Sequence, residues 1–229
     1  MKVELVVNEI FGPTIQGEGP DIGKPCIFIR MQGCDGECKW CDTKYARLFD
    51  EGTIMDETRI LDKVHELNRE GEVSTVVLTG GNPALQPLSS LVRTLKAHGY
   101  RVTVETQGSV WTPWLTLMDL VTVSPKPPSA EHEQPIADEF LKFEALNVVF
   151  KFVVFGTNDL EYVIDFIQTY PNKKVYLQVG TWGNSAVPDV MLFDYGVLVQ
   201  TVTHHPVLSK VEAILPQMHV LLWGKRRGV

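Results

Sequence analysis

The sequence predicts an α/β fold, a partial (β/α) barrel built from about six parallel strands with helices between them. Three observations predict it. From about Gly71 onward, short β-branched runs alternate with longer stretches of helical period, the pattern of βα units on a parallel sheet. The helical stretches stop at glycine or just before proline, at Gly71, Gly99 and Pro171. The strands number about six or seven, short of the eight that close a complete barrel, so the sheet stays open. The 229 residues suit one domain over 1–229, since no Gly/Ser linker and no fixed repeat divides them.

Taken in order, the segment Glu9-Ile10-Phe11-Gly12-Pro13-Thr14-Ile15-Gln16-Gly17-Glu18-Gly19 reads as irregular, because its glycines and polar groups make a poor strand. Residues 25–31, PCIFIRM, form the first apolar strand. Asp56 caps a helix whose Ile60, Val64 and Leu67 lay one apolar stripe on the sheet, and Gly71 ends it. Further strands are expected at 73–79, 101–106, 120–124, 148–154, 174–179 and 195–201, with helices at 88–98 and 159–170. Residues 125–138, rich in proline and charge, read as a surface loop.

Composition narrows the function classes. With 44% hydrophobic and 21% charged residues the chain is that of an ordinary globular protein. No apolar run approaches the roughly 18 residues of a membrane span. Glu4 and Glu9 interrupt the place where a signal peptide would be continuous, so a cytoplasmic location without membrane contact is expected. The 21 basic and 28 acidic residues leave a net charge of -7, which disfavours a nucleic-acid partner and favours a small-molecule substrate. Lys225-Arg226-Arg227 is a local basic exception.

The chemistry starts after the strand at 25–31, in Gly33-Cys34-Asp35-Gly36-Glu37-Cys38-Lys39-Trp40-Cys41-Asp42-Thr43. Clustered thiols in a chain of this kind point to metal rather than to a disulfide framework. Structural zinc takes four protein ligands, whereas three cysteines on a four-iron cluster leave one iron free for a substrate ligand. Cys26 lies inside the apolar strand and reads as a small buried hydrophobe, not a fourth ligand. The Cys-x3-Cys-x2-Cys spacing of Cys34, Cys38 and Cys41, with Trp40 before the last, resembles the radical S-adenosylmethionine superfamily.

In a βα sheet, ligands collect where loops leave the C-terminal ends of the strands. Four loops fit that position: Thr79-Gly80-Gly81-Asn82-Pro83, Glu105-Thr106-Gln107-Gly108, Ser124-Pro125-Lys126 and Gln178-Val179-Gly180-Thr181. The first resembles the superfamily's Gly-Gly-Glu-Pro segment, with Asn82 where Glu is usual and therefore no charge at that point. His204 and His205 read as loop or substrate-edge residues without a metal.

These motifs, together with Gly23-x-Pro25, Phe28-Ile29-Arg30, Cys41-Asp42-Thr43 and the tail Trp223-Gly224-Lys225-Arg226-Arg227-Gly228-Val229, resemble the 7-carboxy-7-deazaguanine synthase family over nearly the whole chain. The resemblance implies a radical ring contraction of 6-carboxy-5,6,7,8-tetrahydropterin, a carbon–nitrogen lyase reaction on the route to queuosine and related 7-deazapurines. It implies a [4Fe-4S] cluster on Cys34, Cys38 and Cys41, S-adenosylmethionine used catalytically, and Mg2+ on Thr43. By the same resemblance Ile15, Gln16, Gly17, Arg30, Thr79 and Val229 contact the pterin, Arg30 matching its carboxylate with a planar fork. Trp40, Cys41, Asp42, Gly81, Glu105, Ser124, Pro125, Lys126, Gln178, Val179, Gly180 and Thr181 contact S-adenosylmethionine. A flavodoxin- or ferredoxin-like electron donor and a homodimer are also implied. The readings set against it are another radical enzyme, such as an activase of a partner polypeptide, and a zinc-binding interaction module.

Overall fold

The computed structural model describes residues 4–142, 147–182, 187–224 and 226–229; Lys225 of the basic end lies outside the described residues. The strands are β1 (Leu5–Ile15), β2 (Pro25–Met31), β3 (Thr53–Met55), β4 (Thr75–Gly80), β5 (Arg101–Thr106), β6 (Leu120–Val123), β7 (Val148–Val154), β8 (Val175–Val179) and β9 (Ala213–Leu215). The helices are α1 (Glu57–Leu67), α2 (Ser89–Ala97), α3 (Asp138–Lys142), α4 (Thr157–Thr169), α5 (Pro188–Thr203) and α6 (Met218–Trp223). Among the described residues all nine strands join one open sheet in the order β3-β1-β2-β4-β5-β6-β7-β8-β9. From β2 through β9 the pairings are parallel, while β1 runs antiparallel to both β2 and β3.

The local chemistry accounts for the elements. Asp56 accepts a hydrogen bond from Arg59 N at 2.9 Å and caps α1, whose Ile60, Leu61 and Val64 are buried. The helix stops at Leu67, and Asn68 turns the chain by bonding Val73, so Gly71 lies in the following turn rather than at the helix end. In β7, Phe150 and Phe152 pack on Phe166 of α4 at centroid distances of 4.8 and 5.0 Å. Alternation along the strand sends Lys151, between them, to the other face. Cys26 is fully buried in β2, where burial pushes its thiol up to about 12. It serves as a core residue. No described helix is long and apolar enough to cross a membrane.

Three expectations are corrected. The irregular N-terminal segment is largely strand: residues 9–15 belong to β1. Gly12, with φ near +130°, lies in a bulge between Phe11 and Thr14 that absorbs the misfit. Residues 195–201 lie in α5, and the last parallel strand is β9. That apolar run sits within a helix of 16 residues opened by Pro188. Residues 125–138 are more than a surface loop, because Ala130 is fully buried and its carbonyl accepts Lys39 N at 2.9 Å.

One connection positions the site. Between β1 and β2, Gln16 N donates to Lys24 O at 2.8 Å and Gly23 N to Gln16 O at 2.7 Å, closing a hairpin loop over residues 16–24. A Cβ built on Gly19 would lie 3.7 to 3.8 Å from Thr122, Glu105 and Lys151. Arg101 at the start of β5 bonds Asp21 at 2.5 Å. The loop therefore lies across the sheet face opposite the helices, the concave face of the open sheet.

Candidate active site

The three clustered cysteines sit on the loop that leaves β2. All are free thiols; Cys38 is buried and Cys34 and Cys41 are half-buried. Burial pushes the Cys34 and Cys38 thiols above their ordinary value, and the ammonium of Lys126 pulls Cys38 back. The Cys34 thiol feels the charges of both Cys38 and Cys41, and Cys38 feels that of Cys41, so the three lie close together. No three His, Cys, Asp or Glu side chains among the described residues converge on a single ion. A four-iron cube spreads its thiolates more widely than one zinc does, so this donor set fits the cube better.

Asn82 and Asp35 explain how the loop is held. Asp35, next to Cys34, accepts from Asn82 Nδ2 at 2.9 Å, Gln107 Nε2 at 2.5 Å, Ser109 Oγ at 2.6 Å and Gln134 Nε2 at 2.8 Å. Asn82 is fully buried; its Oδ1 accepts from Thr106 Oγ1 at 2.8 Å and Ala84 N at 3.3 Å, and its Nδ2 also reaches Ser109. The amide at this position is thus occupied in tying the cysteine loop to the loops after β4 and β5. Gly81 serves the same packing, since a Cβ there would stand 2.1 Å from Gly33 O.

Beside the thiols, Lys126 Nζ lies 5.6 Å over the Trp40 ring and 3.3 Å from Ser124 Oγ, and burial lowers its pKa. Trp40 donates to Ser129 Oγ at 3.1 Å and packs on Phe155 at 5.3 Å. Phe155 in turn fills the space over Gly180, where a Cβ would meet it at 2.4 Å. Pro125 is buried with Ser124, whose N–H bonds Thr106 O at 2.7 Å. Thr43 Oγ1 lies 3.7 Å from Cys41 Sγ, and Asp42 is exposed.

On the concave face a second polar group gathers around Lys151, which forms ion pairs with Glu105 at 2.7 Å and with Glu18. Gln16 Nε2 donates to Glu105 at 3.1 Å, Gln217 Nε2 to Glu18 at 2.6 Å, and Thr181 Oγ1 to Gln217. Gln178 is fully buried; its Oε1 takes Gly19 N at 3.5 Å and its Nε2 has no hydrogen-bond partner. A buried donor left open is costly by about 1–3 kcal/mol, so Gln178 Nε2 is a group that could take a ligand acceptor. Ile15 and Gly17 border this group, and Val179 is buried in β8.

Arg30 and Thr79 are neighbours across β2 and β4. Arg30 Nε bonds Glu9 Oε1 at 2.8 Å. The tail reaches the same point: Arg227 Nε bonds Glu9 Oε2 at 3.0 Å and its guanidinium lies 3.7 Å over the Tyr45 ring. Val229 follows two residues on. His205, by contrast, closes the turn after α5 by accepting from Val207 N and Leu208 N.

The expected residues thus fall into three groups: the thiol loop with Trp40, Lys126 and Gly81; the concave-face group of Gln16, Glu105, Gln178 and Thr181; and Arg30, Thr79 and the tail. Sequence reasoning missed Lys151, Gln217, Asp35, Glu9 and Tyr45. Lys151 left a signal, as the lone charge in VVFKFVV.

An open parallel sheet whose first parallel strand runs into a three-cysteine loop defines a radical S-adenosylmethionine domain, and the Radical SAM superfamily profile matches residues 28–122. The 7-carboxy-7-deazaguanine synthase of Bacillus cereus is 37% identical across 99% of both chains, and that of Bacillus subtilis 36% across 98% of both. The crystal structure of QueE from Escherichia coli aligns with a TM-score of 0.69 at 26% identity, covering 94% of this chain and 95% of that one. The chain belongs to the 7-carboxy-7-deazaguanine synthase family. That family implies an iron–sulfur cluster and S-adenosylmethionine.

Proposed function

We propose that the protein is a 7-carboxy-7-deazaguanine synthase, a carbon–nitrogen lyase converting 6-carboxy-5,6,7,8-tetrahydropterin to 7-carboxy-7-deazaguanine with release of ammonia. The observation that carries this reading is similarity across 99% of the chain to a protein of that name, on a sheet whose three free thiols share one loop. When bound, a reduced [4Fe-4S] cluster on Cys34, Cys38 and Cys41 with S-adenosylmethionine would supply a 5′-deoxyadenosyl radical able to take hydrogen from C6 of the pterin.

The chain's own residues would place the reactants. Arg30 offers its guanidinium to the pterin carboxylate, and Thr79 borders it. Ile15, Gln16 and Gly17 line the pterin ring, and the loop over 16–24 keeps water from it. Trp40, Asp42, Gly81, Ser124, Pro125, Lys126 and the 178–181 segment take S-adenosylmethionine, with the open Nε2 of Gln178 donating to it. Glu105 fits this reading less directly, because its carboxylate is engaged by Gln16 and Lys151. Thr43 is the candidate Mg2+ ligand; one hydroxyl binds the ion weakly, so tight binding needs the substrate's oxygens as well.

A flavodoxin- or ferredoxin-like donor, a cytoplasmic location and a homodimer complete the reading. Leu192, Phe193 and Val197 on α5 are exposed at 49%, 73% and 53%, an apolar strip suited to a second copy. Sedimentation of Phe193→Glu as a monomer, against a wild-type dimer, is the expected result; a monomeric wild type removes this part.

The deciding experiment is anaerobic incubation of reconstituted, reduced protein with S-adenosylmethionine, Mg2+ and the pterin, followed by mass spectrometry. Product in excess of enzyme and of consumed S-adenosylmethionine is expected. Formation of 5′-deoxyadenosine alone would overturn the substrate assignment, and neither species in cluster-loaded protein would overturn the enzymatic reading.

A further inference from the structure

We infer that Lys151 is a positioning residue: from the middle of β7 it draws Glu18 and Glu105 to one point and thereby fixes the loop over 16–24 against the concave face, with Gln16 held ready for the substrate. The substrate in this statement rests on the function proposed above; the geometry does not.

The lysine side chain is only 4% exposed. Taking an ammonium out of water is costly unless it is paired, and a buried pair is often no more stable than apolar residues in its place. The sheet does not need this charge, because Phe150 and Phe152 on either side already supply the packing on α4. What the charge adds is registration. Its partners come from separate parts of the chain, Glu18 lying 133 positions away and Glu105 46.

The two carboxylates exceed the single ammonium, and neutral donors share the remainder: Gln16 Nε2 on Glu105 and Gln217 Nε2 on Glu18. Lys126 and His219 are the other ionisable groups near this knot. Gly17 packs directly on His219, where a Cβ would stand 2.5 Å from the ring nitrogen, and its carbonyl accepts Met218 N at 2.9 Å. The loop is therefore clamped from two sides. Lys151 bridges the loop's Glu18 and the Glu105 carboxylate of β5 from a third strand, β7.

The test compares Lys151→Met and Lys151→Arg with wild type. For Lys151→Met we expect the KM for the pterin to rise about tenfold or more, the scale of a lost charge-assisted contact. The KM for S-adenosylmethionine and the iron content should stay within about twofold. The acid limb of kcat/KM should move to higher pH, since Glu18 and Glu105 then face each other without a cation. Lys151→Arg should restore most of the loss. Hydrogen exchange should quicken at the amides of residues 16–24 and not in β2.

Unchanged pterin KM and unchanged exchange overturn the inference. So does a parallel rise of both KM values with a lowered melting temperature, which is what a merely structural role produces. If Lys151→Met does not fold, Glu18→Gln carries the test, with the same KM and exchange changes expected and their absence decisive against it. Should the wild type turn over no pterin, the proposed function falls while the exchange measurement still decides the role of Lys151.

Discussion

Arg30 Nε donates to Glu9 Oε1 at 2.8 Å across the pairing of β1 with β2. Glu9 takes this nitrogen, so in the proposed function the two terminal amino groups would meet the pterin carboxylate. The guanidinium is aimed further by the Phe11 and Tyr45 rings, 5.5 and 5.9 Å from it. An arginine prealigned in this way loses little entropy when an anion arrives.

Replacing it with Arg30→Lys keeps the charge and discards the fork. The expected result is a pterin KM raised about 10- to 100-fold, equivalent to about 1.5–3 kcal/mol, with the KM for S-adenosylmethionine unchanged. Steady-state kinetics with each substrate varied in turn would show it, and an unaltered pterin KM would remove Arg30 from the site.

The tail supplies the next prediction. Arg227 stacks on Tyr45 and pairs with Glu9, but half of its side chain is exposed at 50%, so the contact is worth little by itself. Arg227→Ala should raise the pterin KM about three- to tenfold. Deleting Gly228 and Val229 should do the same if they border the substrate. Activity indifferent to both changes would separate the tail from the pocket.

Asn82→Glu would insert the residue usual in the wider superfamily, and here it should do harm. A glutamate cannot donate to Asp35 and Ser109, and it would set a buried carboxylate against that of Asp35. The expected cost is about 2–4 kcal/mol, seen as a lower urea midpoint and a lower iron content after anaerobic reconstitution. A variant as stable and as rich in iron as the wild type would show that the Asn82–Asp35 tie does not hold the cysteine loop.

Glu18 gives the pH dependence. Burial by itself would push its pKa up, yet Lys151 and His219 beside it bring it down from 4.5 to about 2. A carboxyl depressed in the folded state contributes its full stabilisation above the unfolded value and loses it as pH falls from about 4.5 toward 2. The amount is on the order of 3 kcal/mol. Urea midpoints measured across that range should fall for the wild type and change less steeply for Glu18→Gln; parallel curves would refute the assignment.

How much of this was legible depends on whether the decisive partners lie close in sequence. The bounds of β2, β5 and β7 follow from apolar runs bracketed by glycine, proline and charge, and the cysteine trio declares itself by spacing. Residues 195–201 misled because an apolar helix and an apolar strand look alike over seven positions; only the full length from Pro188 to Thr203 separates them. Residues 9–15 misled because a bulge lets Gly12 and Pro13 sit in a strand. Lys151 was overlooked since its two carboxylates lie far along the chain, where no periodicity reaches.

The clamp on residues 16–24 also dictates an order of events during synthesis. Glu18 waits for Gln217, 199 positions later, and Asn8 for Arg227, 219 positions later. While the chain is still on the ribosome, β2 and β4 through β7 can assemble as they emerge, but the contacts that Gln217 and Arg227 make with the first hairpin form only after those residues are free. The clamp on residues 16–24 is thus completed late, and a nascent chain truncated before α6 would carry the loop held from the sheet side alone.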